Sequence, residues 1–275
     1  MPLQLFALQH PRFDFYWNWE MDVRYTGDFY QLFESLSAWA RNQTRNHLWD
    51  RNSRFYIPAV HGPYDEFAKK IQLSAEDPSW GHLKPTTDSF GLPLTFANAA
   101  ELPDPDWGVG EEADLVTLFP MFDPSGTLWP HKDHIINYDT ESAARPRRAS
   151  VITVSRLSHR LLMTMHNENS QAGHGMMSEM WPATTALHYG LKAVYTPHPV
   201  FLDRRWPPEI VQQIFNAGPG GQLGGSLNTV INQEHNFDGS TWFWNARFPR
   251  DLYQRWMGMA TEGPGSPEVN VGYLR

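Results

Sequence analysis

The sequence predicts an α/β fold, and three observations carry that reading. Stretches of period two alternate along the chain with stretches of helical period. The clearest unit, residues 181–201, runs helix, glycine stop and strand in that order. Hydrophobic residues make up 41% of the 275 and charged residues 19%, enough apolar surface to bury a sheet beneath helices in one domain.

Each element has a local cause. Phe13, Phe15, Trp17 and Trp19 alternate with Asp14, Tyr16, Asn18 and Glu20, the pattern of a half-buried strand. Thr26 or Asp28 can cap a helix running to about Arg41, with Tyr30, Phe33, Leu36 and Ala40 on one face. Residues 75–110 are rich in Pro, Gly, Asp and Trp and have no period. They read as a long irregular excursion of the kind that builds binding surfaces. Residues 113–124 form a buried strand closed by a turn, and 149–158 a second strand leading into a helix through Met165. Pro182 suits a first helical turn, Gly190 stops that helix, and residues 192–196 form a strand. A short helix over 209–216 follows Pro207-Pro208. One domain is expected over residues 1–262, followed by a loose Gly- and Pro-rich tail over 263–275.

Charge and composition narrow the function. Twenty-two basic against thirty acidic residues give a net charge of −8. With no basic run, a nucleic-acid partner is not expected. The absence of Cys excludes disulfides and thiolate chemistry. No run of 18 apolar residues occurs, and the N-terminal stretch has neither the charge nor the apolar centre of a signal, so no membrane span is expected in this chain. Aromatic residues are 14% of the total with 12 Trp, which suits a site that stacks on flat ligands such as sugars or bases.

The stretch "YWNWEMDVRYTG" delivers Glu20 and Asp22 at the end of the predicted strand, with Arg24 next. On a strand, residues i and i+2 share a face about 6 to 7 Å apart. Two unpaired carboxylates so placed repel and resist desolvation, so a positive partner is expected. A hard divalent cation, Mg²⁺ or Mn²⁺, is one such partner and would bring a diphosphate with it. Arg24 on the same face, as a structural ion pair, is the other.

The stretch "FDFYWNWEMDVRYTGDFYQLFESL" resembles a fungal family of uncharacterised, glycosyltransferase-like proteins, a domain of unknown function. The likeness continues through "LWDRNSRFYIP", "EADLVTLFPMFDP", "MMSEMWPATTALHYGLKAVYTPHPVFLDRRWP" and "EHNFDGSTWFWNARFPRDLYQRW", to about residue 260. The resemblance implies a GT-A fold, a Rossmann-like mixed sheet flanked by helices. There an acid-x-acid motif holds Mn²⁺ or Mg²⁺ and the diphosphate of a UDP- or GDP-sugar. Glu20-Met21-Asp22 matches that motif with Glu in the first place, and Arg24 would offset phosphate charge.

By the same resemblance Glu179, just ahead of the helix at Pro182, takes the place of a catalytic base toward an acceptor hydroxyl. As an ordinary residue it would favour the helix dipole. His198 and, less favoured, His235 are candidates for a third metal ligand. Trp242, Trp244 and Tyr253 would line the acceptor side, where a glycan, lipid or protein would dock, although core packing explains them as well. The family further implies a preceding nucleotide-binding half, and a membrane anchor in the secretory pathway. Two rival readings stay open: a non-catalytic carbohydrate-binding relative, and a glycoside hydrolase recruiting Glu179, since that chemistry needs carboxylates about 5 to 9.5 Å apart across a groove.

Other patterns carry less. His131-x-x-His134 is a potential metal pair without an evident third ligand. His166, Glu168 and His174 are scattered in a loop-like segment. The stretch "GPGGQLGG", residues 218–225, is Gly-rich but opens no helix after a strand, which makes it a poor phosphate loop.

Overall fold

Alternation in the aromatic stretch does produce a strand, β1 (Phe15–Asn18), two residues shorter at each end than the pattern predicts. The computed structural model describes residues 2–21, 23–74, 105–138, 145–151, 154–224, 247–259 and 272–273. A short helix, α1 (Pro2–Gln9), precedes β1, and four follow it: α2 (Phe29–Arg41), α3 (Leu48–Asn52), α4 (Pro58–His61) and α5 (Tyr64–Ser74). Next come β2 (Leu115–Thr117), β3 (Ile135–Ile136), β4 (Ser155–Ser158), α6 (His159–Ala172) and β5 (Gly175–Met176). The chain continues with α7 (Trp181–His188), β6 (Ala193–Tyr195), β7 (Phe201–Leu202), α8 (Pro208–Phe215), α9 (Arg247–Trp256) and β8 (Gly272–Tyr273).

The central sheet has the order β1-β4-β2-β6. Both β1 and β2 lie antiparallel to β4, and β6 is parallel to β2, so β1, β2 and β6 run the same way. Register rows show how its two faces are used. Tyr16, Leu157, Leu115 and Ala193 line up across the sheet and bury into the larger core with Leu161, Leu162, Ala183 and Leu187 of α6 and α7. The next row, Trp17, Arg156, Val116 and Val194, faces the other way, where Val116 and Val194 pack with Leu36 and Ala40 of α2. Helices therefore cover both faces, and the fold is a mixed α/β sandwich.

Helix α2 starts where its cap requires. The Asp28 carboxylate accepts the Gln31 N–H at 2.9 Å, so Asp28 and not Thr26 is the N-cap. Tyr30, expected on the buried face, is 75% exposed, because it falls in the first turn, ahead of the part of α2 that reaches the sheet. The helix expected to end near Met165 runs on to Ala172, and Gly173 stops it at φ +67°. Of the stretch expected to form a loose tail, Gly272 and Tyr273 pair antiparallel with Leu202 and Phe201; residues 260–271 lie outside the description. So does the bulk of the irregular excursion, residues 75–104. No helix among the described residues is long and apolar enough to cross a membrane.

Side chains stand in for missing strand partners at the open side of β6. Asn52 donates through Nδ2 to the Ala193 carbonyl at 2.7 Å and accepts the Tyr195 N–H at 2.9 Å, as a neighbouring backbone would. At the end where β2 and β6 begin, Asp114 binds Ser158 Oγ at 2.7 Å, Arg160 at 2.6 and 3.1 Å, and the Lys192 N–H at 3.2 Å. That end is closed by charge.

Candidate functional site

Because β1, β2 and β6 point one way, their C-terminal ends share one edge of the sheet, where ligands of open α/β sheets bind. Glu20 stands two residues beyond β1 on that edge. It does not continue the strand. The Glu20 carbonyl accepts the Val23 N–H at 3.3 Å and closes a tight turn. Trp19 Nε1 donates to the Val23 carbonyl at 3.3 Å. Arg24 donates to the carbonyls of Met21 and Val23, and its guanidinium lies 5.9 Å from the Tyr253 ring centre. Its guanidinium braces the turn and reaches toward Tyr253 of α9. Asp22 lies outside the described residues.

The aromatic residues of the motif are packing groups. Trp17 stacks on Phe33 at 4.3 Å, and Trp19 meets Phe29 edge-on at 5.2 Å, which seats the strand end on α2. The acid motif is thereby carried on a buttressed turn.

Glu179 reaches the same edge by another route. Helix α7 leads into β6 through a short turn and returns along the sheet, so its N-terminus lies beside the C-terminal ends of the strands. The contact that pins it there is Ser150, whose N–H donates to the Glu179 carbonyl at 2.8 Å and whose Oγ donates to the Phe119 carbonyl, just past β2, at 2.9 Å. The Glu179 side chain is half-buried.

His198 follows β6 on this edge but is built as a strut. Its Nε2 lies 3.0 Å from the Leu118 carbonyl and its Nδ1 3.0 Å from the Pro199 carbonyl. Burial lowers its pKa, against the pull of those two carbonyls. Neither ring nitrogen turns a lone pair outward as a metal ligand must. Asn18 and Tyr195 occupy one register row three strands apart, about 14 Å at the usual strand spacing, so Glu20 and His198 start from well-separated positions. His235, Trp242 and Trp244 lie outside the described residues.

A family model described as "Protein of unknown function (DUF3405)" matches residues 1–273. The chain belongs to that family. No curated protein and no solved structure matches it.

Three further groupings stand outside the acid motif in this DUF3405 chain. Glu168 and His174, which read as scattered loop residues, are joined: α6 carries Glu168, Gly173 turns the chain back, and His174 Nδ1 meets Glu168 Oε2 at 2.5 Å. Tyr189 donates to the other carboxylate oxygen, and the Tyr138 ring stacks on His174 at 4.2 Å. Burial, with the Glu168 charge, pushes the Tyr138 phenol up to about 12. His131 and His134 do pair, with Nδ1 atoms 3.2 Å apart, but among the described residues no three His, Asp or Glu side chains gather as a metal cluster. Arg54 sits half-buried beside the Gly-rich stretch. The His131-x-x-His134 spacing announced its pair and the i, i+6 spacing around Gly173 offered a weaker signal for Glu168 and His174, whereas nothing local joins Arg54 to the Gly-rich stretch.

Proposed function

We propose that this DUF3405 protein is a metal-dependent glycosyltransferase of GT-A type, moving a sugar from a UDP- or GDP-sugar to a hydroxyl acceptor. The observation that carries the reading is the place of Glu20, immediately beyond β1 on the edge that also receives the N-terminus of α7 with Glu179. Glu20 and Asp22 would hold Mn²⁺ or Mg²⁺, whose charge offsets that of the departing diphosphate. Arg24 adds a fixed cation at the same turn. Glu179 takes the proton of the acceptor hydroxyl as its oxygen bonds to the anomeric carbon. The bond from that carbon to the diphosphate oxygen breaks, and its electron pair leaves with the diphosphate. Tyr253, already at Arg24, lies where an acceptor sugar could stack, with Trp242 and Trp244 as its expected companions. With His198 tied to carbonyls, His235 is the third-ligand candidate that this reading keeps.

Thermal unfolding tests it, with UDP or GDP, Mn²⁺, both together, and both with Glu20→Ala/Asp22→Ala. A ligand at 100 times its dissociation constant stabilises by about 2.7 kcal/mol, well within the resolution of such a scan. A shift that needs nucleotide and metal together and vanishes in the double variant is the expected result. A folded chain that shows no joint shift refutes the proposal.

A further inference from the structure

The Gly-rich stretch beginning at Gly218 lies against a side chain that nothing in the sequence pairs with it. Arg54, between α3 and α4, is half-buried; its Nε is shut off from solvent without a hydrogen-bond partner. Among the described residues its terminal nitrogens likewise have no ion-pair or hydrogen-bond partner, and Asp50 acts on it only through space. Among the described residues other buried arginines have partners: Arg45 Nε donates to Glu111, and the terminal nitrogens of Arg156 to Glu112 and Ser37 and of Arg51 to two carbonyls. The terminal nitrogens of Arg54 reach solvent, so its fork can take an acceptor from outside the chain.

What faces Arg54 is a notch. Gly220 and Gly221 both have positive φ, +63° and +81°, and a Cβ on them would lie 3.9 and 3.7 Å from the two terminal nitrogens of Arg54. Side chains there would occupy the space in front of the guanidinium; glycine leaves it open. The N–H of Gly220 has no backbone partner among the described residues. The notch is also preformed. Leu223 donates to the Ser53 carbonyl at 2.9 Å, and Asn216 clasps both backbone groups of Phe55 at 2.8 Å, binding the loop to the segment that carries Arg54. The neighbouring His61 uses Nδ1 to accept the Ile57 N–H, which fixes its ring.

We infer that Arg54 and the 220–222 turn form a binding site for one phosphate-type oxyanion. The planar fork of the guanidinium takes two oxygens of such a group, and the Gly220 N–H suits a third. The site is separate from the acid motif: through Asn52 the Arg54 segment borders β6, whereas Glu20 follows β1 at the opposite side of the sheet.

The test uses the whole chain and inorganic phosphate, with chloride holding the ionic strength constant. Two signals are read: thermal unfolding, and modification of arginines by phenylglyoxal followed by mass spectrometry. Phosphate should raise the Tm saturably and slow modification of Arg54 while leaving Arg12 and Arg205 unaffected. Arg54→Met should abolish the shift, and Glu20→Ala should leave it, which separates this site from the metal-dependent one. A phosphomonoester run in parallel distinguishes a phosphorylated ligand, which binds more tightly than phosphate, from the free ion; either order upholds the site. A shift that survives Arg54→Met, or no saturable shift, overturns the inference. Should Arg54→Met fail to fold, unchanged modification of Arg54 in the native chain overturns it equally.

Discussion

Removing the Asp114 carboxylate, as Asp114→Ala, strips four contacts from the end of the sheet where β2 and β6 begin. Not all of them count equally. Arg160 has a side chain 48% exposed and regains water when its partner is lost, so its share is small. Ser158 and Lys192 cannot. The Ser158 hydroxyl donates to Asp114 while accepting the Leu161 N–H as the cap of α6, and both it and the Lys192 N–H are buried. Each stranded donor costs about 1–3 kcal/mol, so the variant should lose about 2–6 kcal/mol. That is a large fraction of the roughly 5–15 kcal/mol that stabilises a typical domain.

Urea unfolding of the wild type, Asp114→Ala, Ser158→Ala and the double variant measures this. Because Ser158 and Asp114 share one hydrogen bond, the cycle should show coupling of about 0.5–3 kcal/mol. A loss under about 1 kcal/mol, or a cycle that closes without coupling, would refute the reasoning. It would mean that the backbone bonds of the same residues, Ser158 N–H to the Asp114 carbonyl and Asp114 N–H to the Lys192 carbonyl, hold this end unaided.

Two further predictions concern Asn52 at the end of α3 and His61 at the end of α4. Asn52→Leu keeps the bulk of the side chain but strands the Ala193 carbonyl and the Tyr195 N–H, so urea unfolding should show a loss of about 2–6 kcal/mol, and a neutral result would mean that water replaces the amide. His61 is pushed down to about 4 from 6.5 by burial, then by the Arg54 and Lys70 cations. The unfolded chain therefore takes up this proton before the folded one does, so stability present above pH 6.5 is lost as pH falls toward 4. Tm measured between those limits should fall less steeply in His61→Phe than in the wild type, and parallel curves would show that His61 does not set the slope.

Much of the frame was legible because its causes are local. Asp28 caps α2 and Gly190 ends α7 through chemistry contained in a few consecutive residues, and the alternation around Tyr16 and Trp17 announces a strand wherever its partners lie. Helix α5 carried comparable signals, Asp65 and Glu66 in its first turn and Phe67 and Ile71 one turn apart, and could have been read from them. What periodicity did not give is pairing across distance. Arg156 sits in an otherwise apolar row yet is buried, because Ser37 of α2 and the Glu112–Ala113 segment converge on it. Arg54 and Gly220 are separated by more than 160 residues, and no local rule joins them. The candidate site was half legible for the same reason. Strand and helix-start patterns placed Glu20 and Glu179, whereas the struts at His198 and Ser150 depend on carbonyls that sequence does not locate.

The two ends of the sheet divide their work, and the division bears on the tests. At the end where β2 and β6 begin, Asp114 with Arg160, Glu111 with Arg45, and Glu112 with Arg41 and Arg156 are paired acid to base. The Lys192 ammonium there donates to the carbonyls of Arg41, Gly108 and Glu111 at 3.2, 2.6 and 2.9 Å and straps the end of α2 to the loop before β2. Glu20 and Glu179 lie at the other end, where the bracing contacts run largely through main-chain carbonyls. An acid placed for stability belongs with the first group, where removing it strands buried donors. An acid placed for a ligand belongs with the second, where removing it should cost the ligand-dependent gain in Tm more than the Tm itself. Asp114→Ala and Glu20→Ala/Asp22→Ala should therefore separate: the first lowers Tm and keeps the shift with nucleotide and metal, the second keeps Tm and loses the shift. If both variants lower Tm alike and both keep the shift, the acid motif is a structural turn, and the chemistry must be sought elsewhere on the edge.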